Sequence, residues 1–475
     1  RPRTALSRAR FPMLDPKGAA DDDVLDSART NDTGDDSVDH RIKLCQIRFT
    51  SVHSEGELRD PARVAYVDIR ATTEEEHEEV AKLPKRLAHV FDNVWQVDEY
   101  FGKPTVVMIV TGGAQDFKML PRVQRVFDEG LRKAAQITNA WIFSGGSASG
   151  VMKKVGEALS KTPDVPCIGV PSFGNVVGRE HILHKLKPLV EVVDGGEVNT
   201  TEYVHTENDN SREAAALQPN HSHFVVVDSG KVGREAWGTE IEFGLQVQLA
   251  YCAHENLPAV LLVVQGGPNT LATVVKAVAQ GVPVVVIRDS LGAASAIGDF
   301  LTRTDAQQDE IGKAERAYGG AKEAFREAEE SKNSVPPGDK HAKAAALAAL
   351  RKAKQQLQRA EDELSDLERK LLKSDEKGLF TGVNSLRHLR HIRERQKSIE
   401  LFALAEDSTA DISESILAAV TKWPQLEKEQ ERLLELAIVW DNLPMVGKVL
   451  AGDFRSDGGP EAKKLQAGGG EGGGE

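Results

Sequence analysis

Three cysteines in 475 residues, Cys45, Cys167 and Cys252, are too few and too widely spaced for a disulfide framework or a thiolate metal site. None forms a CxxC pair, which points to free thiols in a reducing compartment. Long apolar runs are also missing. The longest, such as AVLLVV (259–264) and VPVVVI (282–287), fall far short of the roughly 18 residues of a membrane-spanning helix. The chain is therefore expected not to cross a membrane by itself. The opening RPRTALSRAR lacks both an initiator Met and the roughly 7–15-residue apolar core of a signal peptide, so a fragment of a longer protein is one expectation. A basic excess is absent too: 60 Lys and Arg stand against 73 Asp and Glu, for a net charge of −13. That balance argues against nucleic-acid binding through overall charge and requires any anionic ligand to be held locally.

Glycine, by contrast, is plentiful, at 41 residues, and it falls in a repeated position. Residues 1–42 are polar, and they read as a disordered segment. From about residue 43 the alternation in CQIRFTSV and ARVAYVDI predicts strands, and KLPKRLAHVFDNVW has helical spacing. The centre then repeats an apolar strand, a Gly-rich turn and a helix. TVVMIVTGGA leads into LPRVQRVFDEGLRKAA, AWIFSGGSASG into VMKKVGEALS, and AVLLVVQGGPNT into LATVVKAVAQG. Alternation of this kind predicts a doubly wound, mainly parallel α/β sheet over about 43–302, with its binding crevice at the carboxyl ends of the strands.

After about residue 303 the composition shifts to Ala, Glu, Lys and Gln, and SVPPGD (334–339) separates two helical stretches. Leu350, Leu357, Leu364 and Leu371 are spaced by sevens, with Ala353, Ala360 and Leu367 three residues after the first three. This is a heptad seam, and it predicts a helical hairpin or coiled-coil-like insert over 303–389. Residues 390–455 read as an α-helical domain, and the tail 456–475, ending GGGEGGGE, as flexible.

Three loops, VTGGA (110–114), SGGSASG (144–150) and QGGPNT (265–270), stand at equivalent strand-to-helix junctions. Glycine admits close ligand approach, and a helix N-terminus offers unpaired amides with partial positive charge, so together they are candidates for a phosphate cradle. They fit neither the Walker loop nor an ordinary GxGxxG site. Arg179 in PSFGNVVGRE is a candidate phosphate clamp, since a guanidinium offers forked donors, and Phe173 could stack on a base or fill the core. His221 and His223 alternate in NHSHF with Asp228 nearby; capping and packing is favoured there, and no metal ligand set or catalytic residue is assigned.

At these residues the chain resembles the cytoplasmic N-terminal domain of TRPM (melastatin-related) cation channels, a member of the SLOG superfamily of Rossmann-like nucleotide-sensing folds. The resemblance rests on KPTVVMIVTGGA through SGGSASGVMKKVGEAL, PNHSHFVVVDSG and VVQGGPNTLATVV, with a weaker match at EKEQERLLELAIVWDNLPMVGKVLAGDF. It implies a ligand such as ADP-ribose at Thr111, Gly112, Gly113, Ala114, Gly145, Gly146, Ser147, Gly150, Phe173, Arg179, Gly266, Gly267, Asn269 and Thr270. It further implies a calcium-permeable channel, a homotetramer and a place at the cytoplasmic face of the plasma membrane, the pore lying outside this chain. Two departures bear on ADP-ribose. Ser172 stands where an aromatic ring is expected, with Phe173 next, and IEFGLQVQLA lacks an expected arginine. The superfamily also contains nucleotide phosphoribohydrolases with a PGGxGTxxE motif, which makes such an enzyme, or a soluble nucleotide-binding protein, the alternative. Thr273 replaces that motif's Glu and cannot supply a carboxylate, so a binding role is favoured over an enzyme.

Overall fold

Val-, Ile- and Leu-rich runs at the centre of the chain become strands buried on both faces, as parallel sheets covered by helices require. The computed structural model describes residues 40–50, 60–336, 339–375, 377–403, 412–423 and 430–451. The segment read as disordered, except for residues 40–42, and the Gly-rich tail 456–475 lie outside the described residues. The described strands are β1 (Ile42–Phe49), β2 (Ala62–Asp68), β3 (Val107–Gly112), β4 (Trp141–Ser144), β5 (Cys167–Gly169), β6 (Lys187–Pro188), β7 (Thr200–Tyr203), β8 (His223–Asp228), β9 (Ala259–Val264), β10 (Val284–Ile287) and β11 (Ile399–Phe402). They form one sheet in the order β11-β10-β9-β3-β4-β5-β8-β2-β1-β6, with β7 also paired to β1.

From β11 to β2 every pairing is parallel; β1 runs antiparallel to β2 and β6. The mainly parallel, doubly wound sheet expected from the sequence is thus present. The chain winds from β3 outward through β4 and β5, then returns to place β9 on the other side of β3. That reversal opens a crevice at the carboxyl ends of β3, β4 and β9, because the flanking helices cover opposite faces. One of them, Pro121–Thr138, starts with Pro at its first turn and ends at Asn139 in the left-handed conformation. Its Val123, Phe127, Leu131, Ala134 and Ala135 recur at helical spacing and are buried in the main core.

Two features extend the sheet domain beyond the expected boundary. β11 lies within the stretch read as wholly helical, pairing in parallel with β10 from Val284↔Ile399 to Ile287↔Phe402. Four residues are too few to display a strand period, and the pairing covers an edge that would otherwise be open. The helix Ile412–Val420 packs on Pro121–Thr138 at Gly130, where a Cβ would come within 1.8 Å of Ile412 Cγ2. Trp440 donates its indole N–H to Thr105 Oγ1 at 2.8 Å, so the C-terminal helices share the core of the sheet.

The insert is a pair of helices, Asp305–Ser334 and Lys340–Arg369, in extensive contact along their length. Leu364 and Leu371 of the heptad seam are buried, and Leu350 and Leu357 are half-buried. At the base of the hairpin Glu368, fully buried, receives Arg390 Nε at 3.0 Å and Nη2 at 2.7 Å. Removing one partner of such a pair leaves the other charge buried and uncompensated. Glu368→Gln should therefore lower stability by about 3 kcal/mol in urea unfolding, whereas Glu323→Gln, at the exposed Glu323–Arg326 pair, should leave the midpoint unchanged.

Candidate ligand-binding cleft

The ends of β3, β4 and β9 approach one another closely enough that side chains are excluded between them. A Cβ on Gly112 would lie 1.9 Å from the Val264 carbonyl oxygen. Gly150, with φ +54°, would place a Cβ 2.0 Å from the Gly113 carbonyl oxygen, which accepts a hydrogen bond from the Val151 amide at 2.8 Å. Because these loops are drawn together, a cavity of about 600 Å³ opens at the carboxyl edge of the sheet.

The structure brings seven of the sequence-selected residues to the cavity wall: Thr111, Gly112, Ala114, Gly145, Ser147, Asn269 and Thr270. Gly113, Gly146, Gly150, Gly266 and Gly267 belong to the same loops without lining it. Phe173 is buried in a neighbouring cluster, edge-on to Tyr66 at 5.2 Å between ring centroids. Arg179 is not on the wall either; its Nη1 donates to the Gly174 carbonyl at 2.9 Å. The arginine that does line the cavity is Arg212, exposed and with no hydrogen-bond or ion-pair partner given by another described residue. Trp237, half-buried, lines it as well, along with Asn175, Asp116 and Glu240. Arg212 and Trp237 lie in irregular segments with no periodicity or motif, so nothing local in the sequence marked them.

Three helices begin at this cavity: Gly150–Leu159, Glu240–Glu255 and Pro268–Ala279. Their N-caps, Ser149, Thr239 and Gly267, provide no side-chain cap of their own, so the positive partial charge of the amides at these helix starts is left to other residues or to a ligand to meet. One of these amides is met from within the protein, Gly150 N donating to Asp116 Oδ1 at 2.9 Å. On the opposite wall, Glu240 Oε2 accepts from Gly238 N at 3.0 Å, and burial pushes this carboxyl up to about 7. Asn175 donates to the Glu213 and Gly233 carbonyls, while its buried Oδ1 has no partner. An acceptor left in that state favours a ligand hydroxyl or amine.

Ser144 lines the cavity with His221 behind it: Ser144 Oγ and His221 Nε2 are 2.7 Å apart, and Ser144 Oγ also accepts from Gly146 N at 3.2 Å. Burial lowers His221 to about 3 and His223 well below the ordinary imidazole value, so both are neutral packing groups. Asp228 is engaged by the Tyr66 hydroxyl at 2.6 Å and the Gly230 amide at 2.7 Å. The NHSHF segment therefore braces the second glycine loop. The cavity as a whole offers amide and hydroxyl donors, one free guanidinium and one indole face. This set can hold an anionic group at one end and a planar ring at the other.

The two kinds of glycine here separate by substitution. Gly150→Ala should destabilise the protein by roughly 2 kcal/mol or more, from a strained φ and overlap with backbone. Gly267, whose added Cβ would meet nothing within 4 Å, should accept Ala at a cost within about 1 kcal/mol in the same unfolding measurement. Equal costs would contradict the packing described.

Comparison with known proteins agrees with this architecture. The family model described as SLOG in TRPM matches residues 78–329. Transient receptor potential cation channel subfamily M member-like 2 of Nematostella vectensis is 36% identical over 218 residues, 42% of this chain and 13% of that protein. Subfamily M member 2 of Rattus norvegicus is 35% identical over 203 residues, 39% of this chain and 13% of its own length. Subfamily M member 1 of Mus musculus is 32% identical over 230 residues, 46% and 13% respectively. The match thus spans about an eighth of each relative's length, and among the described residues no helix is long and apolar enough to cross a membrane. With its parallel sheet, its three glycine loops at one sheet edge and a family match over more than half of its length, the chain belongs to the SLOG domain family of TRPM proteins.

Proposed function

We propose that the cleft binds a nucleotide with a diphosphate group, such as ADP-ribose, and that the chain is the cytosolic ligand-sensing and assembly region of a TRPM-like, calcium-permeable, tetrameric cation channel. The observation that carries the ligand reading is the convergence of three helix N-termini, none capped by its own N-cap side chain, and Arg212 on one cavity in a protein of net charge −13. Acidic proteins repel anions at long range, so binding depends on local donors of this kind. The phosphates would lie against the Gly145–Gly150 loop, displacing Asp116 from the Gly150 amide. Arg212 would supply the charged contact, and Trp237 a face for the base. The channel reading rests on relatives that are named cation channels. In such an assembly the ligand acts only if it binds one arrangement of the domain more tightly than another.

One observation favours an enzymatic second reading. Thr273 lines the cavity in place of a carboxylate, its hydroxyl donating to the Asn269 carbonyl at 3.2 Å, but Glu240 presents a carboxyl from a different wall. A group pushed up to about 7 is suited to proton transfer. Release of free adenine from AMP by the wild type, and its loss in Glu240→Gln, would establish hydrolysis.

Calorimetric titration of the full chain with ADP-ribose, ADP and AMP tests the binding reading. Heat with a saturable isotherm is expected for at least the diphosphates. Arg212→Ala should weaken it by roughly 10- to 150-fold, the worth of about 1.5–3 kcal/mol for one charge-assisted contact. Asp116→Asn should strengthen it, and Arg179→Ala should leave it nearly unchanged. Absence of heat at millimolar concentrations of all three would overturn the proposal and leave assembly as the role.

A further inference from the structure

On the far side of the fold from the glycine loops, a second cluster of ionisable groups joins two segments distant in sequence. The helix Glu74–His89 ends in a π turn, Val90–Val94, which carries Asp92; such turns place side chains outside the ordinary helical register. His254 and Glu255 occupy the last turn of the helix Glu240–Glu255. One ligand atom from each of Asp92, His254 and Glu255 lies within 4.8 Å of the others. His254 Nε2 is 3.3 Å from Asp92 Oδ2 and 3.6 Å from Glu255 Oε1. The two separations from His254 match the edges of a tetrahedron with bonds of about 2.0–2.2 Å, the lengths zinc makes to imidazole nitrogen and carboxylate oxygen, and the carboxylates need only close on each other to complete it.

An independent observation points the same way. Tyr251, one turn earlier on the same helix, is fully buried, and its hydroxyl faces the Asp92 carboxylate. Both carboxylate oxygens of Asp92 are buried and short of well-formed hydrogen bonds, with His254 Nε2 at 3.3 Å from Oδ2. Native proteins seldom leave a buried carboxylate so thinly satisfied. Burial together with Glu255 and Asp98 pushes the Asp92 carboxyl up to about 7, the behaviour of a negative cluster short of positive charge. Lys103 Nζ meets Glu255 on its other oxygen, Oε2, at 3.7 Å, leaving Oε1 to face His254.

We propose that Asp92, His254 and Glu255 form a site for a divalent transition-metal ion of the zinc class. One imidazole and two carboxylates suit zinc better than calcium, which takes six to eight oxygens, or magnesium, which keeps most of its waters. His254 is 37% exposed, so an ion can enter from solvent and retain water at its remaining positions. The bound ion would pin the π turn to the C-terminal end of a helix whose N-terminal residues Glu240, Ile241 and Gly244 line the cleft. The site stands on its own geometry and does not depend on what the cleft binds.

The test uses the full chain stripped with chelator and titrated with zinc sulfate. One equivalent should bind at micromolar zinc and raise the thermal midpoint, and cobalt(II) should give visible d–d absorption from a low-symmetry N/O site. His254→Gln, a change at a partly exposed position, and Asp92→Asn should each weaken zinc binding at least tenfold and abolish the cobalt bands. His391→Gln, at another exposed His–Glu pair, should change neither. No binding at micromolar zinc, or binding that persists undiminished in both cluster variants, would overturn the proposal.

Discussion

The cleft depends on one constraint, the approach of three backbone turns to near van der Waals contact at the carboxyl edge of the sheet. Gly112 lies beneath the Val264 carbonyl, Gly113 against the Gln265 side chain, and Gly150 against the Gly113 carbonyl. Each loop therefore fixes the next. Fully apolar β9, buried along its whole length, holds this arrangement from below. The helices that spring from the loops then have their N-termini turned toward a common space. A sheet in which Gly112 or Gly150, which meet backbone, carried a side chain would have to separate its loops.

Much of this could be read from the residues because the signals are local. Strand, glycine turn and helix recur within about twenty residues in TVVMIVTGGA, AWIFSGGSASG and AVLLVVQGGPNT, and the parallel, doubly wound character of the sheet follows from the connections they demand. The heptad leucines were equally visible, and the structure shows the seam turned inward between two helices of one chain. The cavity's outer wall was not legible. Arg212 and Trp237 are placed by the return of the chain through 204–239, where no period constrains the backbone, and a search for an arginine near a glycine motif selects Arg179 instead. Arg179 is held by the Gly174 carbonyl five residues back, a contact that spacing alone does not reveal. β11 was hidden for the opposite reason, its four residues having a partner more than a hundred positions away.

Charge organises the two ends of the helix Glu240–Glu255 differently. At its start the uncapped amides and the carboxyl of Glu240 make a mixed wall. At its end His254, Glu255 and Asp92 gather into a cluster with excess negative charge. In the cleft Asp116 supplies the negative charge that the Gly150 amide attracts, so the protein satisfies that helix terminus itself. The loop bearing Asp116 precedes Pro121–Thr138, the helix on which Ile412–Val420 rests.

The claim that anion recognition resides in the glycine-loop cavity is tested most directly by hydrogen–deuterium exchange of the full chain with and without saturating ADP-ribose. The account predicts slowed exchange in peptides covering 144–152, 210–217, 237–248 and 266–273, with residues 179–184 unaffected. Exchange unchanged in all four regions, or protection confined to the segment around Arg179, would contradict it.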